Sequence, residues 1–452
     1  MSDQHPPQSV CIIGGGFCGT AVAAGLVRAG FAGEITLIES KPVAGPGIAY
    51  APPSERLLLN VPARGMGMWA PDPGDFVAWL TASGRQVDPG SFVPRAWYGE
   101  YLQARLGEAI GAAGGRLRVV RAAANDASRL ADGSWRVDGA GGETVRADAL
   151  VLAPGNFRPG PPAGLEGLTA PWWHPDPWVP EAHAKCRDGE RVLIIGSGLT
   201  MVDLCISLTS RGERPRITVL SRHGLLPCVH ATPGAEKIAA MPPEPGTNLH
   251  QIFIHVRREA RRIMRAGGDW RAAVDCLRPI TPALWAGLST RDHARFMSRL
   301  RVYWDVHRHR VPAEVVARIV ELKQRNLIRI EAGMVRSAKD FGASGEITWR
   351  ERGTGSLERG TFDRVINCTG ARTAIVASPL LNAMAARGEI RSEELGLGLL
   401  TDGFGRVVNA AGAPHANLWA LGALRRGTLW ESSAVPELRV QAGAVVSQIA
   451  GG

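Results

Sequence analysis

The chain has 452 residues, 45% of them hydrophobic and 21% charged, which is too long for one ordinary core and points to two or three soluble globular domains. No apolar run approaches the ~20 residues of a membrane span, and the opening MSDQHPPQ lacks the basic-then-apolar order of a signal peptide, so a cytoplasmic enzyme or binding protein with no membrane partner is expected. The net charge of +10 comes from 52 basic residues of which only five are lysine; with no nucleic-acid motif or basic tail beside it, small anions explain this balance better than a nucleic-acid partner.

In chain order, SVCII reads as a buried strand, Phe17 to Ala29 as a helix and EITLIES as a second strand. A Pro/Gly-rich segment follows from Lys41 to about Asp75, then short strands at RLRVV and WRVDG, then ADALVLAPGNFRPGPP, a strand running into glycine and proline. A second strand–turn–helix–strand unit starts at about Arg191 and ends on RITVLSR. Between His230 and about Arg325 the text becomes arginine-rich and helical, which suggests an insertion. Strands return at LIRIEAG and GEITWR, and FDRVINCTG echoes ADALVLAPG. The expected fold is α/β with two Rossmann-like dinucleotide-binding domains. The expected division is a flavin domain over 1–165, a nicotinamide domain over 187–360 with its helical insertion at 230–325, and a second piece of the flavin domain over 361–452.

Two glycine turns carry the chemistry. In the first, Gly14, Gly16 and Gly19 have the spacing in which one glycine makes the tight bend, the next lets backbone N–H groups reach a pyrophosphate, and the third lets helix and strand pack closely. Glu39 lies 20 residues beyond Gly19 at the end of the next strand, where a carboxylate can hold both ribose hydroxyls of an adenosine. In the second turn Gly196 and Gly198 recur, but Met201 takes the third position, which predicts a looser helix–strand contact. The next strand ends on Ser221 and Arg222 instead of a carboxylate. A carboxylate repels a 2′-phosphate, whereas serine and arginine bind one. The first unit therefore reads as an FAD site made by Gly14, Gly16, Phe17, Cys18, Gly19, Glu39 and Ser40. The second reads as an NADPH site made by Gly196, Ser197, Gly198, Leu199, Thr200, Ser221 and Arg222, with NADH as the alternative. Two adjacent dinucleotides allow hydride to pass from nicotinamide to flavin. The seven cysteines are odd in number and form no C-x-x-C, so they read as structural thiols, and no metal site is expected.

The layout resembles flavoproteins with two dinucleotide-binding domains, the nicotinamide domain inserted into the flavin domain. Within them, GPGIAYAPPSERLLLNVPARGMGMWAPDPGDFVAWL (45–80), FVPRAWYGEYL (92–102), RLRVYWDVHRHRVP (299–312) and GTLWESSAVPELRVQA (427–442) resemble the group that includes bacterial FAD-dependent urate hydroxylase and aspartate N-monooxygenase. The resemblance implies that Gly155 and Gly370 mark the crossings between domains. It also implies that Gly422, followed by Ala423 where many relatives carry Asp, lies at the ribityl chain. In such monooxygenases reduced flavin takes up O₂ as a C4a-hydroperoxide and passes one oxygen to an electron-rich atom.

The resemblance places Asn60 and Arg64 along the isoalloxazine, where Asn60 can orient oxygen or substrate or simply satisfy a loop. Serines, Pro436 and Glu437 suit the start of a last helix whose N-terminus would face the flavin. Trp304 and Arg308, spaced i, i+4, share a helix face. His307 can act as acid or base and Arg308 can clamp an anion, unless this basic helix serves the phosphates of NADPH. Trp430 can cover the ring system or be plain core, and Glu431 can accept from substrate N–H groups. The function expected is a monooxygenase using NAD(P)H and O₂ on a small nitrogen-rich anion, urate first. An amino-acid N-hydroxylase and a non-oxygenating flavin reductase that serves a partner are the alternatives.

Overall fold

The strand Ser9–Ile13 lies at the centre of a six-stranded sheet and is buried on both faces, which is why its sequence is an unbroken apolar run with no alternation. The computed structural model describes residues 7–231, 238–244, 246–431 and 433–451. In space the sheet runs Arg406–Val408, Pro414–Ala420, Ala149–Leu152, Ser9–Ile13, Glu34–Glu39, Leu117–Arg121, parallel except for its first pair. The helices Phe17–Arg28, Arg95–Ala112 and Val435–Ala450 share one core on one face. The antiparallel sheet of Ala124–Arg129, Trp135–Gly139 and Thr144–Ala147 covers the other, together with the helix Pro379–Ala386. The tail thus packs with the first unit.

The second sheet has seven strands in the order Leu357–Phe362, Gly345–Glu351, Ile328–Asp340, Arg216–Ser221, Arg191–Ile195, Arg364–Asn367, Trp173–His174. It corrects the expected boundaries. Trp173–His174 precedes position 187 and Arg364–Asn367 follows 360, yet both pair inside this sheet, so the insertion into the first unit runs from about 160 to 370. The connections touch where they cross: Pro159 bridges Ala371 antiparallel, beside the left-handed Gly155 and Gly370 (φ 77° and 97°).

The helical insertion is also shorter than expected. Ala313–Gln324 packs with Leu199–Leu208 beneath the second sheet and is the ordinary crossover helix of that unit. The insertion proper is the helical segment between Leu249 and Arg308, where a π-helical turn at Phe296–Leu300 joins Thr290–Arg295 to Arg301–Arg308. No helix among the described residues is long and apolar enough to cross a membrane.

Candidate dinucleotide and substrate site

Both glycine turns sit where the strand order reverses, at the carboxyl ends of parallel strands, which is where open α/β sheets bind ligands. In the first, Gly14 has φ 103° and a Cβ there would lie 2.2 Å from the Ala153 carbonyl oxygen. A Cβ on Gly19 would lie 1.9 Å from the Gly14 oxygen, so the helix is seated directly on the turn. Around Gly16, which caps the helix, the nearest atom to such a Cβ is the Gly47 Cα at 3.6 Å, and this is the side left open for a phosphate. Glu39 is buried at the end of its strand, accepting from the Gly15 N–H (2.8 Å) and the Lys41 N–H (2.7 Å), and Ser40 Oγ donates to it at 3.3 Å. Phe17 and Cys18 begin the helix. Burial pushes the Cys18 thiol up to about 12, so it stays neutral beside the helix N-terminus. Gly422 (φ 67°) lies over the same helix start, where an added Cβ would be 3.4 Å from Cys18 Sγ, and its N–H donates to Gln441.

The second turn repeats half of this. Gly196 has φ 111° and a Cβ there would lie 2.3 Å from the Cys368 oxygen, but around Gly198 nothing comes within 4 Å. Met201, fully buried, fills the space that Gly19 keeps empty in the first unit. Ser221 Oγ accepts from the Gly224 N–H (3.0 Å) and lies 2.9 Å from Ser197 Oγ, so it braces the turn. Arg222 is exposed, and its carbonyl accepts from Arg352 (3.2 Å). His223 lies beside these two cations as a neutral imidazole: burial, then Arg352 and Arg222, hold it below the ordinary histidine range. Spacing pointed to Arg222, but Arg352 comes from a loop 130 residues further on and has no local signal.

A cavity of about 630 Å³ extends from this turn, bounded by Gly196–Thr200 and Ser221–His223 on one wall and by Arg301, Asp305, His309, Arg426, Trp430 and Glu431 on the other. Glu431 is a non-glycine residue at φ 63°. Its carboxylate accepts from Trp304 Nε1 (2.7 Å), pairs with Arg308 Nε (3.2 Å), and lies 3.6 Å from His309 Nε2. The i, i+4 face of Trp304 and Arg308 therefore converges on Glu431, which is an anchor of this wall and not a free acceptor. Arg308 also reaches Glu437 (3.7 Å), which Arg278 holds in a two-pronged pair. Burial, then the charge of Arg301, lowers the Arg426 guanidinium from its usual range, and burial raises the Asp305 carboxyl against Arg301 and His309.

Three expectations are corrected here. His307 turns away from the cleft, its Nδ1 2.7 Å from the Tyr303 oxygen and its ring against Trp270; His309, two residues on and so on a different side of the helix, faces the cleft instead. Arg64 sits on the turn Ala63–Gly65, which buries Ala63 and throws Arg64 outward beside Gly90, and it does not line the cleft. Trp430 takes the core position, one of its two readings, stacked on Trp285 at 4.9 Å, and also lines the cleft. The last helix is capped by Ala434 with no side-chain cap; Ser433 does not supply one and Ser432 lies outside the described residues. Asn60 lies at the junction of the two units, its carbonyl accepting from His230 Nε2 (3.0 Å). That junction is clamped by Arg95, which donates to both oxygens of Asp203 (2.6 and 3.0 Å) and to the Leu58 carbonyl. Burial holds the Asp203 carboxyl above its usual range despite Arg95.

Comparison with known proteins agrees with this architecture. A family model described as FAD-NAD(P)-binding matches residues 11–157. A search of curated proteins found no match. Among solved structures, the chain is similar to L-lysine 6-monooxygenase from Pseudomonas syringae (TM-score 0.70, 17% identity, 98% of this chain and 99% of that one). It is also similar to the ornithine N-hydroxylase of Kutzneria sp. 744 with reduced FAD, NADP⁺ and L-ornithine (0.66, 16%, 98% and 99%). A third similar structure is the FAD-bound cadaverine monooxygenase of Erwinia amylovora (0.70, 12%, 99% and 95%). The protein thus has the α/β FAD/NAD(P)-binding fold found in flavin-dependent N-monooxygenases, with a FAD/NAD(P)-binding domain over its first third.

Proposed function

We propose that this protein is an NAD(P)H-dependent flavin monooxygenase that hydroxylates an amine nitrogen. One observation carries the reading: a single cavity is walled on one side by the second glycine turn and on the other by Arg426, Trp430 and Glu431, on the segment that follows the Gly422 turn of the first unit. A nicotinamide lying in it would therefore be next to whatever the first unit holds. FAD, when bound, supplies the two-electron exchange with NAD(P)H and the activation of O₂. The overall reaction is R–NH₂ + NAD(P)H + H⁺ + O₂ → R–NHOH + NAD(P)⁺ + H₂O.

The chain's own residues bind and orient. Gly14, Gly16 and Gly19 seat the pyrophosphate of FAD on the helix N-terminus, and Glu39 takes its ribose. Arg222, His223 and Arg352 favour a 2′-phosphate and hence NADPH. Trp304 and Arg308 fix Glu431, so the cleft wall beside the reacting atoms is rigid and its charge is balanced.

The amine reading is preferred to urate because the similar structures bear the names of lysine, ornithine and cadaverine enzymes. The test is NADPH oxidation by the yellow holoenzyme with lysine, ornithine, cadaverine, aspartate and urate, each product weighed. A hydroxylamine one oxygen heavier than its amine supports the reading. Oxygen delivered only to urate, or NADPH consumed with electrons passing to a protein acceptor and no oxygen inserted, overturns it.

A further inference from the structure

The helical insertion lines a second cavity, of about 430 Å³ and partly open to solvent at Phe253, Met264 and Tyr303, within the range of small-molecule sites. Its character is unlike that of the nucleotide cleft. Four tryptophans line it, Trp270, Trp285, Trp304 and Trp430, with Leu, Ile, Val, Met and Phe side chains filling the rest. No carboxylate lines it, and its polar side chains are few and occupied or marginal: Thr281 donates to the Leu277 carbonyl, His307 lies against the Tyr303 carbonyl, Tyr303 itself is exposed, and the exposed Arg257 lies over the Phe253 ring. An ammonium or an α-amino acid head would find no counter-ion inside, and burying a charge without one is costly.

The cavity adjoins the site already described. Trp430 lines both cavities, so one ring divides the apolar space from the cleft of the second glycine turn. The indole N–H of that ring is buried and has no acceptor among the described residues, whereas Trp285 and Trp304 donate theirs to the Gly427 carbonyl and to Glu431. Buried donors are rarely left unpaired, and protein interiors are close-packed. An unfilled apolar space that shares a wall with the cleft is what the apolar part of a ligand would complete.

We propose that this cavity holds the apolar part of the substrate: an amine bearing an alkyl chain or aromatic group, whose body lies among the insertion helices and whose nitrogen reaches past Trp430 to the cleft. This rests on the monooxygenase reading above and narrows its substrate to hydrophobic amines, in contrast to the polar amines named for the similar structures.

The experiment is done on the holoenzyme with n-alkylamines from butylamine to decylamine, beside lysine and ornithine. Burying each added methylene should raise kcat/KM roughly fourfold until the cavity is full. Decan-1-ol, which has the chain but no amine, serves as a binding probe through quenching of tryptophan fluorescence. Ala260→Phe, which fills the cavity from its wall, should abolish both the chain-length gain and the quenching while sparing butylamine turnover. If that variant does not fold, Val256→Ala should shift the optimum to longer chains. Saturable decanol binding with no amine turnover would support the cavity and overturn the amine reading. Turnover of lysine or ornithine with a flat chain-length profile would overturn the cavity proposal and leave the monooxygenase reading standing. A stable dimer split by Met264→Glu, with no decanol binding in either form, would assign this face to a second copy of the chain and likewise overturn the proposal.

Discussion

The turn at Gly14–Gly19 and the turn at Gly196–Met201 share one backbone and are closed by different side chains. Each opens with a left-handed glycine pressed against the first carbonyl past the adjacent strand, Ala153 in one and Cys368 in the other. In the first, the helix then drops onto the turn at Gly19 and a buried carboxylate, Glu39, ties down the Gly15 N–H. In the second, a methionine fills the gap, nothing crowds Gly198, and the strand ends in cations. Even the helices differ in kind: where the first carries the buried Ala21, the second carries Asp203, which Arg95 of the first unit must neutralise. The first turn is thus closed within its own unit, and the second depends on the first. A tightly seated turn suits a cofactor that stays bound, and an open one suits a cofactor that exchanges every turnover.

The largest effect is expected at that dependence. Arg95→Ala leaves Asp203 buried and unpaired, which should cost ~3–5 kcal/mol; calorimetry should show the second unit melting first, as a separate transition. Arg95→Met with Asp203→Leu should recover most of the loss, and a double variant no better than the single would mean that the pair does not clamp the units. Next comes the seating of the helix. Gly19→Ala puts a methyl into the Gly14 carbonyl and should cost about 1–3 kcal/mol by overpacking, with flavin lost on desalting. Gly198→Ala, where the space is open and φ is an ordinary −82°, should change stability by less than about 0.5 kcal/mol. Equal costs at the two positions would erase the distinction between the turns.

Which parts of this were legible in the sequence follows from how local their causes are. The strand–turn–helix units are written in apolar runs and glycine spacing, because steric closeness at Gly14 and Gly196 admits no side chain. The helix Arg95–Ala112 was missed: its buried face is built partly of Tyr98 and Tyr101, whose polar ends disguise an apolar stripe. Trp173–His174 was missed because a two-residue strand carries no period. In the site, Glu39 and Arg222 were readable from their distance to a glycine. Arg95 with Asp203, and Arg352 with Arg222, are partners more than a hundred residues apart, and only the fold brings them together. The exchange of His307 for His309 has a different origin: His309 lies just past the helix Arg301–Arg308, where the backbone leaves the helical conformation (ψ 79°), so helical counting does not reveal which histidine faces the cleft.

The smaller predictions separate the two cofactors by charge. Glu39→Ala removes a buried carboxylate whose charge-assisted hydrogen bonds are each worth about 1.5–3 kcal/mol, so FAD affinity should fall about ten- to a hundredfold while the KM for NADPH is unchanged. Full flavin retention, read from absorbance after gel filtration, would mean that the ribose is held elsewhere.

Arg222→Ala is expected to do the least damage and to be the most selective. The side chain is exposed, so folding should not notice its loss, and solvent screening limits what one guanidinium contributes to a phosphate. The KM for NADPH should still rise on the order of tenfold, one charge-assisted contact, while that for NADH stays put, since NADH has no 2′-phosphate to lose. Arg352→Ala should behave in the same way, and the two together should bring the KM values for NADPH and NADH close to each other. Raising the salt concentration should imitate the double variant for NADPH alone. If the single variants raise both KM values equally, the cations at this strand end are not reading a phosphate, and the contrast with Glu39 at the other turn would lose its chemical meaning.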